Sequence, residues 1–509
     1  MSEPKETPIA AGIPATGPVR KKSFKKYMRD EWADFVLWLK KPFWRTVCLI
    51  VVILFSIGFC LPAIQNCDVV ENYNGQSWYL FSQPDYVQGA DAVLKGRLSL
   101  DIQATDELLA LKNPYDPASR EGVLYLWDHA FYNGEYYMYF GIAPVFTVYL
   151  PFYFITGEMP NNVFACMILA IYCCITIPLA LFEWARRFCK KVSPFLIGFA
   201  SFVLIAVGGV YLHISYSKQY QIPYLSATAM GFLFCYLVLR ALRCKKKVFR
   251  YIVLALAGVS YVATVASRPT MAIMFLAPLP IVFFDILKPF KLKKALRDLC
   301  ALGLPVIVGA AVMMWYNYAR FGSPLDFGQK YQLTVHDVSL YKLNPELFGY
   351  AMIQYFFQMP TYEGGFPFLR RSFVTLKYGT YVYVDCTVGA FAFPTTIATL
   401  FTPLVVSLKK EPGKWLSYFF IPLAAVVISF VDFCMAGVHL RYVFDIVPML
   451  TFLGLLVWME LCKRATGKTK KVLVCVGILL CLAALFVSYG LVMTHSANTQ
   501  EPECLFHKL

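Results

Sequence analysis

The stretch that decides the fold class is Thr46–Ile64, TVCLIVVILFSIGFCLPAI. It carries no charged residue, and as a helix it would run about 28 Å, close to the hydrocarbon thickness of a bilayer. It begins too late for an ordinary signal peptide and lacks a small-residue cleavage site, so it reads as a retained signal anchor. Upstream lie Arg20-Lys21-Lys22-Ser23-Phe24-Lys25-Lys26 and Lys40-Lys41, a basic flank that should stay in the cytoplasm. Residues 1–19, rich in Pro, Ala, Gly and Thr, read as disordered. Trp32–Leu39 mixes Trp and Phe with charge and suits a short interfacial helix.

Outward from this run the pattern repeats. Apolar segments lie near 138–156, 162–182, 194–213, 222–242, 251–267, 270–287, 299–319, 387–407, 415–434, 441–461 and 471–493. The chain is 58% hydrophobic and 15% charged over 509 residues, where a soluble protein would carry about 25% charge. The expected class is an all-α polytopic membrane protein, because these runs do not alternate as barrel strands do. The net charge of +16 does not point to nucleic acid, since the bases sit in short clusters beside apolar runs. Sixteen cysteines give no disulfide framework; most lie inside apolar runs, and Cys67, Cys386 and Cys504 are the candidates outside them.

Basic clusters at Arg186-Arg187, Arg243 with Lys245–Lys247, Lys288–Arg297, Lys409-Lys410 and Lys463–Lys471 should all face the cytoplasm. Counting back from residue 183 leaves one crossing too many. Residues 138–156, with Pro144, Pro151 and many Tyr and Phe, are therefore expected to lie along the membrane rather than cross it. The expectation is about 11 transmembrane helices plus this juxtamembrane helix. The divisions are a cytoplasmic tail (1–45), a first helix (46–64), an acidic outer loop with the juxtamembrane helix (65–157), helices (158–320), a second outer loop (321–386), helices (387–493) and an extracytoplasmic tail (494–509).

The outer loop runs against the charge of the chain. Between Gln65 and Glu135 eleven acids stand against four bases. It contains Pro84-Asp85-Tyr86 and, near its end, Trp127-Asp128-His129.

This layout resembles the GT-C glycosyltransferases, and within them the branch of the protein O-mannosyltransferases and aminoarabinose transferases. The features that carry the likeness are Asp85 in Pro84-Asp85-Tyr86, the proline-containing aromatic segment Tyr136–Ile155, and the basic pair Arg186-Arg187. Tyr211–Tyr220 with Lys218, Ser267-Arg268-Pro269-Thr270, and Arg441-Tyr442 with Pro448 also fit. Residues 133–141 and 317–328 are similar to bacterial members of the class. The chain departs at the loop start, where the class has an Asp-Glu pair and this chain has Asp85-Tyr86.

The resemblance implies an inverting, integral plasma-membrane enzyme working on the extracytoplasmic face. Its donor would be a polyprenyl-phosphate sugar, its acceptor a lipid, glycan or protein, and membrane lipids would surround it. No nucleic acid is implied. Asp85 would be the general base that takes the acceptor proton. Its plain alternative is a helix cap after Pro84. Asp128 would be a second acid, or a surface acid beside an aromatic belt. Arg268, next to the bilayer, and Arg441 would bind phosphate, with Tyr442 beside the latter; Arg441 could instead pair with Asp445 four residues on. Lys330 and Lys218 are weaker phosphate candidates. The second loop would form a lid. The acidic loop leaves a divalent cation open, but its scattered acids lack ligand spacing.

Two other classes fit the composition. One is a transporter or flippase of a lipid-linked precursor, which would carry mid-membrane charges and an internal repeat; Asp285 and Asp432 sit near run ends, and no repeat is visible. The other is a non-catalytic membrane scaffold. Walker, dinucleotide and HExxH motifs are all missing.

Overall fold

A computed structural model describes residues 42–65, 85–287, 292–379 and 381–497. The expectations for the N-terminal tail, for Cys67 and for Cys504 lie outside the described residues, as do those for the side chains of Asp85 and Cys386.

The chain is built on helices. The main ones are α1 (Pro42–Gln65), α2 (Asp85–Leu94), α3 (Asn162–Phe188), α4 (Pro194–Val207), α5 (Val210–Ile214), α6 (Gln221–Leu242) and α7 (Lys247–Ser267). There follow α8 (Pro269–Met274), α9 (Leu279–Leu287), α10 (Leu292–Phe321), α11 (Pro412–Ala436), α12 (Leu440–Val443), α13 (Val447–Arg464) and α14 (Gly467–Ala497). Three two-stranded antiparallel hairpins lie between them: β1 (Ala130–Tyr132) with β2 (Glu135–Tyr137), β3 (Thr361–Tyr362) with β4 (Leu369–Arg370), and β5 (Ser372–Tyr378) with β6 (Tyr381–Thr387).

Among the described residues eight helical segments are long and apolar enough to cross a membrane. The chain is thus an integral membrane protein by its helices, but three of the expected crossings do not form one long continuous apolar helix. Gly208-Gly209 ends α4 after 14 residues, with Gly209 in the left-handed region. Residues 387–407 break into short turns around Pro394 and Pro403. Residues 441–446 turn before the 18-residue α13 begins. Proline removes a ladder hydrogen bond, and a left-handed residue suits glycine, which is why long apolar runs here divide. The segment Val145–Thr156 is a short apolar helix of 12 residues, which at about 1.5 Å per residue is shorter than a bilayer is thick.

Helix α13 forms the centre. From Val447 to Cys462 all but Leu461 are buried, as expected for a helix apolar on every face. Around it pack α3, α4, α11 and α14. On one side α7 packs on α6 and α10, with Gly258 under the Leu302 carbonyl and Gly309 against Val262, small residues that let backbones approach. The outer side of α10 leaves Leu304, Ile307 and Val312 exposed, as suits a face turned to lipid.

Ion pairs tie the helices at the basic end. Arg187 pairs with Asp285 at 2.7 Å, Arg243 with Glu183 at 2.5 Å and Arg250 with Asp298 at 2.6 Å. Lys414 and Glu460, both almost fully buried, pair between α11 and α13, and Tyr418 donates to Glu460 at 2.7 Å. Such pairs are costly to desolvate and costly to break, so they fix helix register more than they add stability.

Candidate functional site

At the other end of the bundle the helix breaks converge. Arg268 occupies the break between α7 and α8, in an extended conformation with φ −155° and ψ 95°. The cause is local: Pro269 disfavours helical backbone in the residue before it. Arg268 thereby leaves the helix and reaches sideways. Its Nε lies 2.5 Å from Asp445 Oδ1, and the Asp445 side chain is fully buried. Thr270 donates to the other Asp445 oxygen at 3.2 Å.

Arg441 lies in the short turn α12, whose start is capped by His439 Nδ1 accepting from the Arg441 amide at 3.1 Å. Its guanidinium rests over the rings of Tyr220 (4.4 Å) and Tyr442 (5.1 Å) and donates to the Tyr442 hydroxyl at 3.2 Å. Among the described residues no carboxylate lies within ion-pair distance of it. A guanidinium has five N–H donors, so most of its capacity is open.

Asp128 is buried, with its backbone in the left-handed region at φ 59°. Both of its carboxylate oxygens are held: Tyr220 donates to one and Gln332 to the other. Gln332 also donates to the Tyr139 hydroxyl at 2.9 Å. Burial first, then the Asp128 charge, push the Tyr139 phenol well above its ordinary range, so it stays protonated. The loop that carries Asp128 is fixed by a reciprocal backbone pair, Asp128 N to Leu333 O at 2.9 Å and Leu333 N to His129 O at 3.0 Å. First and second loops are thus joined at this point.

The hairpin β1–β2 follows directly. Its turn is Asn133-Gly134, at φ 51° and 81°. Both residues in the left-handed region make the two-residue turn whose twist matches the strands, and Asn-Gly is its strongest sequence signal. The strand then leads to Tyr139-Phe140-Gly141. Gly141 packs so tightly under the α7–α8 break that an added β-carbon would lie 2.1 Å from the Ser267 carbonyl oxygen.

These pieces enclose a cavity of about 280 Å³. Arg268, Arg320, Arg441 and Asp432 line it, together with Tyr139, Tyr220, Tyr316 and Tyr442. Arg320 ends α10; it is buried, donates to the Met138 carbonyl at 2.8 Å and to Asn317 at 2.9 Å, and stacks on Tyr316 at 3.7 Å. Asp432 is buried near Asp445 and Arg268, with one oxygen lacking a partner among the described residues. Arg268 is paired with Asp445, so Arg320 and Arg441 are the lining cations that stand against Asp432.

The residues expected from sequence fall into three groups. Arg268, Arg441 and Tyr442 line the cavity, and Asp128 touches it through Tyr220. Lys330 does not line it: it is half exposed and pairs with Asp326 at 2.7 Å, which, with Tyr331, holds its ammonium pKa above the usual range. Lys218 sits over the Tyr216 ring at 4.4 Å, two residues from Tyr220, and does not line it. The side chain of Asp85 lies outside the described residues, but its helix is tied to the cavity wall. The adjacent Tyr86 donates to the Gly141 carbonyl at 3.1 Å and stacks on Tyr149. Of the second loop, Phe327 and Gln329 line the cavity.

Arg320 and Asp432 were missed as site residues. Both stand in apolar helices, and an arginine or aspartate there is the signal that could have found them. The β1–β2 hairpin departs from the all-α expectation, although Asn133-Gly134 carries its turn signal. No group of three or more potential metal-ligating side chains is found among the described residues.

The fold and cavity define a polytopic α-helical membrane protein with an arginine-lined chamber at one end of its bundle. Neither a protein-family model nor a curated protein matches the chain. Solved structures overlap with it in part. One is the oligosaccharyltransferase of Archaeoglobus fulgidus in its apo form, at 13% identity and a TM-score of 0.43, covering 91% of this chain and 57% of that one. Another is the AglB oligosaccharyltransferase of the same organism with an inhibitory peptide and a dolichol-phosphate, at 12% identity and a TM-score of 0.44, covering 89% and 56%. The chain therefore spans little more than half the length of these proteins.

Proposed function

We propose that this chain is a membrane glycosyltransferase that takes a sugar from a polyprenyl-phosphate donor and passes it to a hydroxyl-bearing lipid, glycan or protein. The observation that carries the reading is the cavity in which Arg268, Arg320 and Arg441 converge while Arg441 keeps most of its donors open. Guanidinium groups match phosphate oxygens in charge and fork geometry. As the glycosidic bond to phosphate breaks, negative charge grows on the leaving phosphate, and a preorganised cation there lowers the barrier. Tyr220 and Tyr442 hold Arg441 in place through their ring faces.

Asp85 is proposed as the general base that takes the acceptor proton. Its support is the anchoring of its helix to the cavity wall through Tyr86 and Gly141. Asp128 is proposed as the acid that orients Tyr220, and through that ring Arg441. Lys218 and Lys330, which do not line the cavity, are proposed only as outer phosphate contacts along the donor's path. The cavity lies at the end of the bundle away from the basic clusters. The positive-inside rule would put that end outside the cytoplasm, where a lipid-linked donor can be used.

The test is turnover. Protein in lipid nanodiscs is given a series of polyprenyl-phosphate sugars, and release of polyprenyl phosphate is followed for the wild type, Arg441→Gln and Asp85→Asn. Wild-type release that both variants lose supports the reading. Full activity in Asp85→Asn removes that residue as base, and no release with any donor overturns the function.

A further inference from the structure

The hairpin of β3 and β4 takes no part in the cavity, yet it is built and held. Glu363 N donates to the Phe368 carbonyl at 2.9 Å and Phe368 N to the Gly365 carbonyl at 2.7 Å, closing the tip Gly364-Gly365-Phe366-Pro367-Phe368. Arg370 pairs with Glu363 across it at 2.9 Å. Thr361 and Ser372 share a hydroxyl hydrogen bond of 3.1 Å that joins it to β5. On this rigid frame large aromatic side chains point outward: Tyr362 is 67% exposed, Phe366 64% and Phe373 67%. Phe366 and Phe368 pack edge to face at 5.9 Å, so the tip presents a preformed aromatic knob.

The last helix sets the height of this knob. Thr494 of α14 donates to the Leu369 carbonyl at 2.7 Å, and Leu369 sits on Gly490, where an added β-carbon would come within 2.7 Å. The apolar span of α14, Gly467–Thr494, is 28 residues. That is about 42 Å of helix, enough for the hydrocarbon core and both headgroup layers. Lys468, Lys470 and Lys471 mark one end. Leu369 packs at the other, beside Gly490 and Thr494.

We propose that the β3–β4 hairpin docks on the bilayer surface, with Tyr362, Phe366, Phe368 and Phe373 in the headgroup layer and Arg371 on anionic lipid phosphate. Aromatic rings concentrate at that depth because one part of the layer is apolar and the other wet. Arg371 is partly exposed beside the hairpin and has no carboxylate partner among the described residues. An anionic headgroup supplies one. The hairpin then ties the second loop to the membrane plane. This inference is independent of the proposed transfer reaction.

The experiment replaces Phe366 with a benzoylphenylalanine photocrosslinker in full-length protein in nanodiscs containing phosphatidylglycerol and phosphatidylethanolamine. The same group at Ile307, exposed on the face of α10, is the lipid-contact control. Lipid adducts at both positions support the inference. Adducts at 307 with only peptide adducts, or none, at 366 overturn it. Arg371→Gln should lower the phosphatidylglycerol share of the adducts at 366, by roughly fivefold at low salt; an unchanged share overturns the phosphate contact.

Discussion

Arg268 and Asp445, 177 positions apart in the chain, form a buried ion pair of 2.5 Å across the head of the bundle. Spacing along the chain suggested a different partner for Asp445, namely Arg441 four residues earlier. Asp445 instead turns to Arg268 and Thr270, which leaves Arg441 to the aromatic rings and to the cavity. One arginine is thereby neutralised and the other kept open.

Removing Asp445 should cost stability as well as function. Asp445→Ala removes the carboxylate that Arg268 contacts and leaves only Asp432 nearby; breaking a buried pair costs up to about 3–5 kcal/mol. The detergent-solubilised variant should unfold at a clearly lower temperature than the wild type. Asp445→Ala together with Arg268→Met should recover part of that loss, because the guanidinium that lost its contact is gone. Equal melting of all three would mean that the pair does not form.

Arg441→Gln should keep the fold and weaken phosphate recognition. Charged hydrogen bonds contribute about 1.5–3 kcal/mol, roughly ten- to hundredfold in affinity. Binding of a short-chain polyprenyl phosphate, measured by calorimetry, should fall by that factor while the melting temperature moves little. Loss of the fold together with binding would point to a structural arginine.

Asp128 should tolerate asparagine better than valine. Its left-handed backbone suits Asp and Asn but is a strained position for a β-branched residue. Asp128→Asn keeps the conformation and loses the charge that Tyr220 and Gln332 bind. Expression and melting should therefore rank wild type above Asn and Asn above Val. The reverse order of the two variants would argue against the left-handed geometry.

Gly141→Ala should disrupt the site while leaving the membrane helices in place. A β-carbon 2.1 Å from a backbone oxygen cannot be absorbed by a side-chain shift, so either the strand or the α7–α8 break must move. Crosslinking between cysteines introduced at Tyr139 and Tyr442, both on the cavity wall, should drop in the variant. Gly134→Ala, where only the Leu109 side chain is near, should affect the hairpin turn and not that crosslink.

Much of the architecture is written in local pattern. Apolar length marks the spanning helices, Pro269 ejects Arg268 from its helix, and Asn133-Gly134 makes a hairpin turn; each acts over a few residues. Local pattern also suggested crossings at 194–213, 387–407 and 441–461 that the chain divides, because glycine and proline interrupt helices that hydropathy alone leaves whole.

What the sequence by itself determined is the class, a chain of apolar helices with basic ends, and a short roster of arginines and acids worth watching. Only the tertiary structure decided which of them meet, and it added Arg320 and Asp432 to them. Arg268, Arg320, Asp432 and Arg441 come from four different helices or helix breaks, and Asp128 joins them through Tyr220. Whether a charge is open or neutralised depends on partners far away in sequence, and those are set by how the helices pack, not by spacing along the chain.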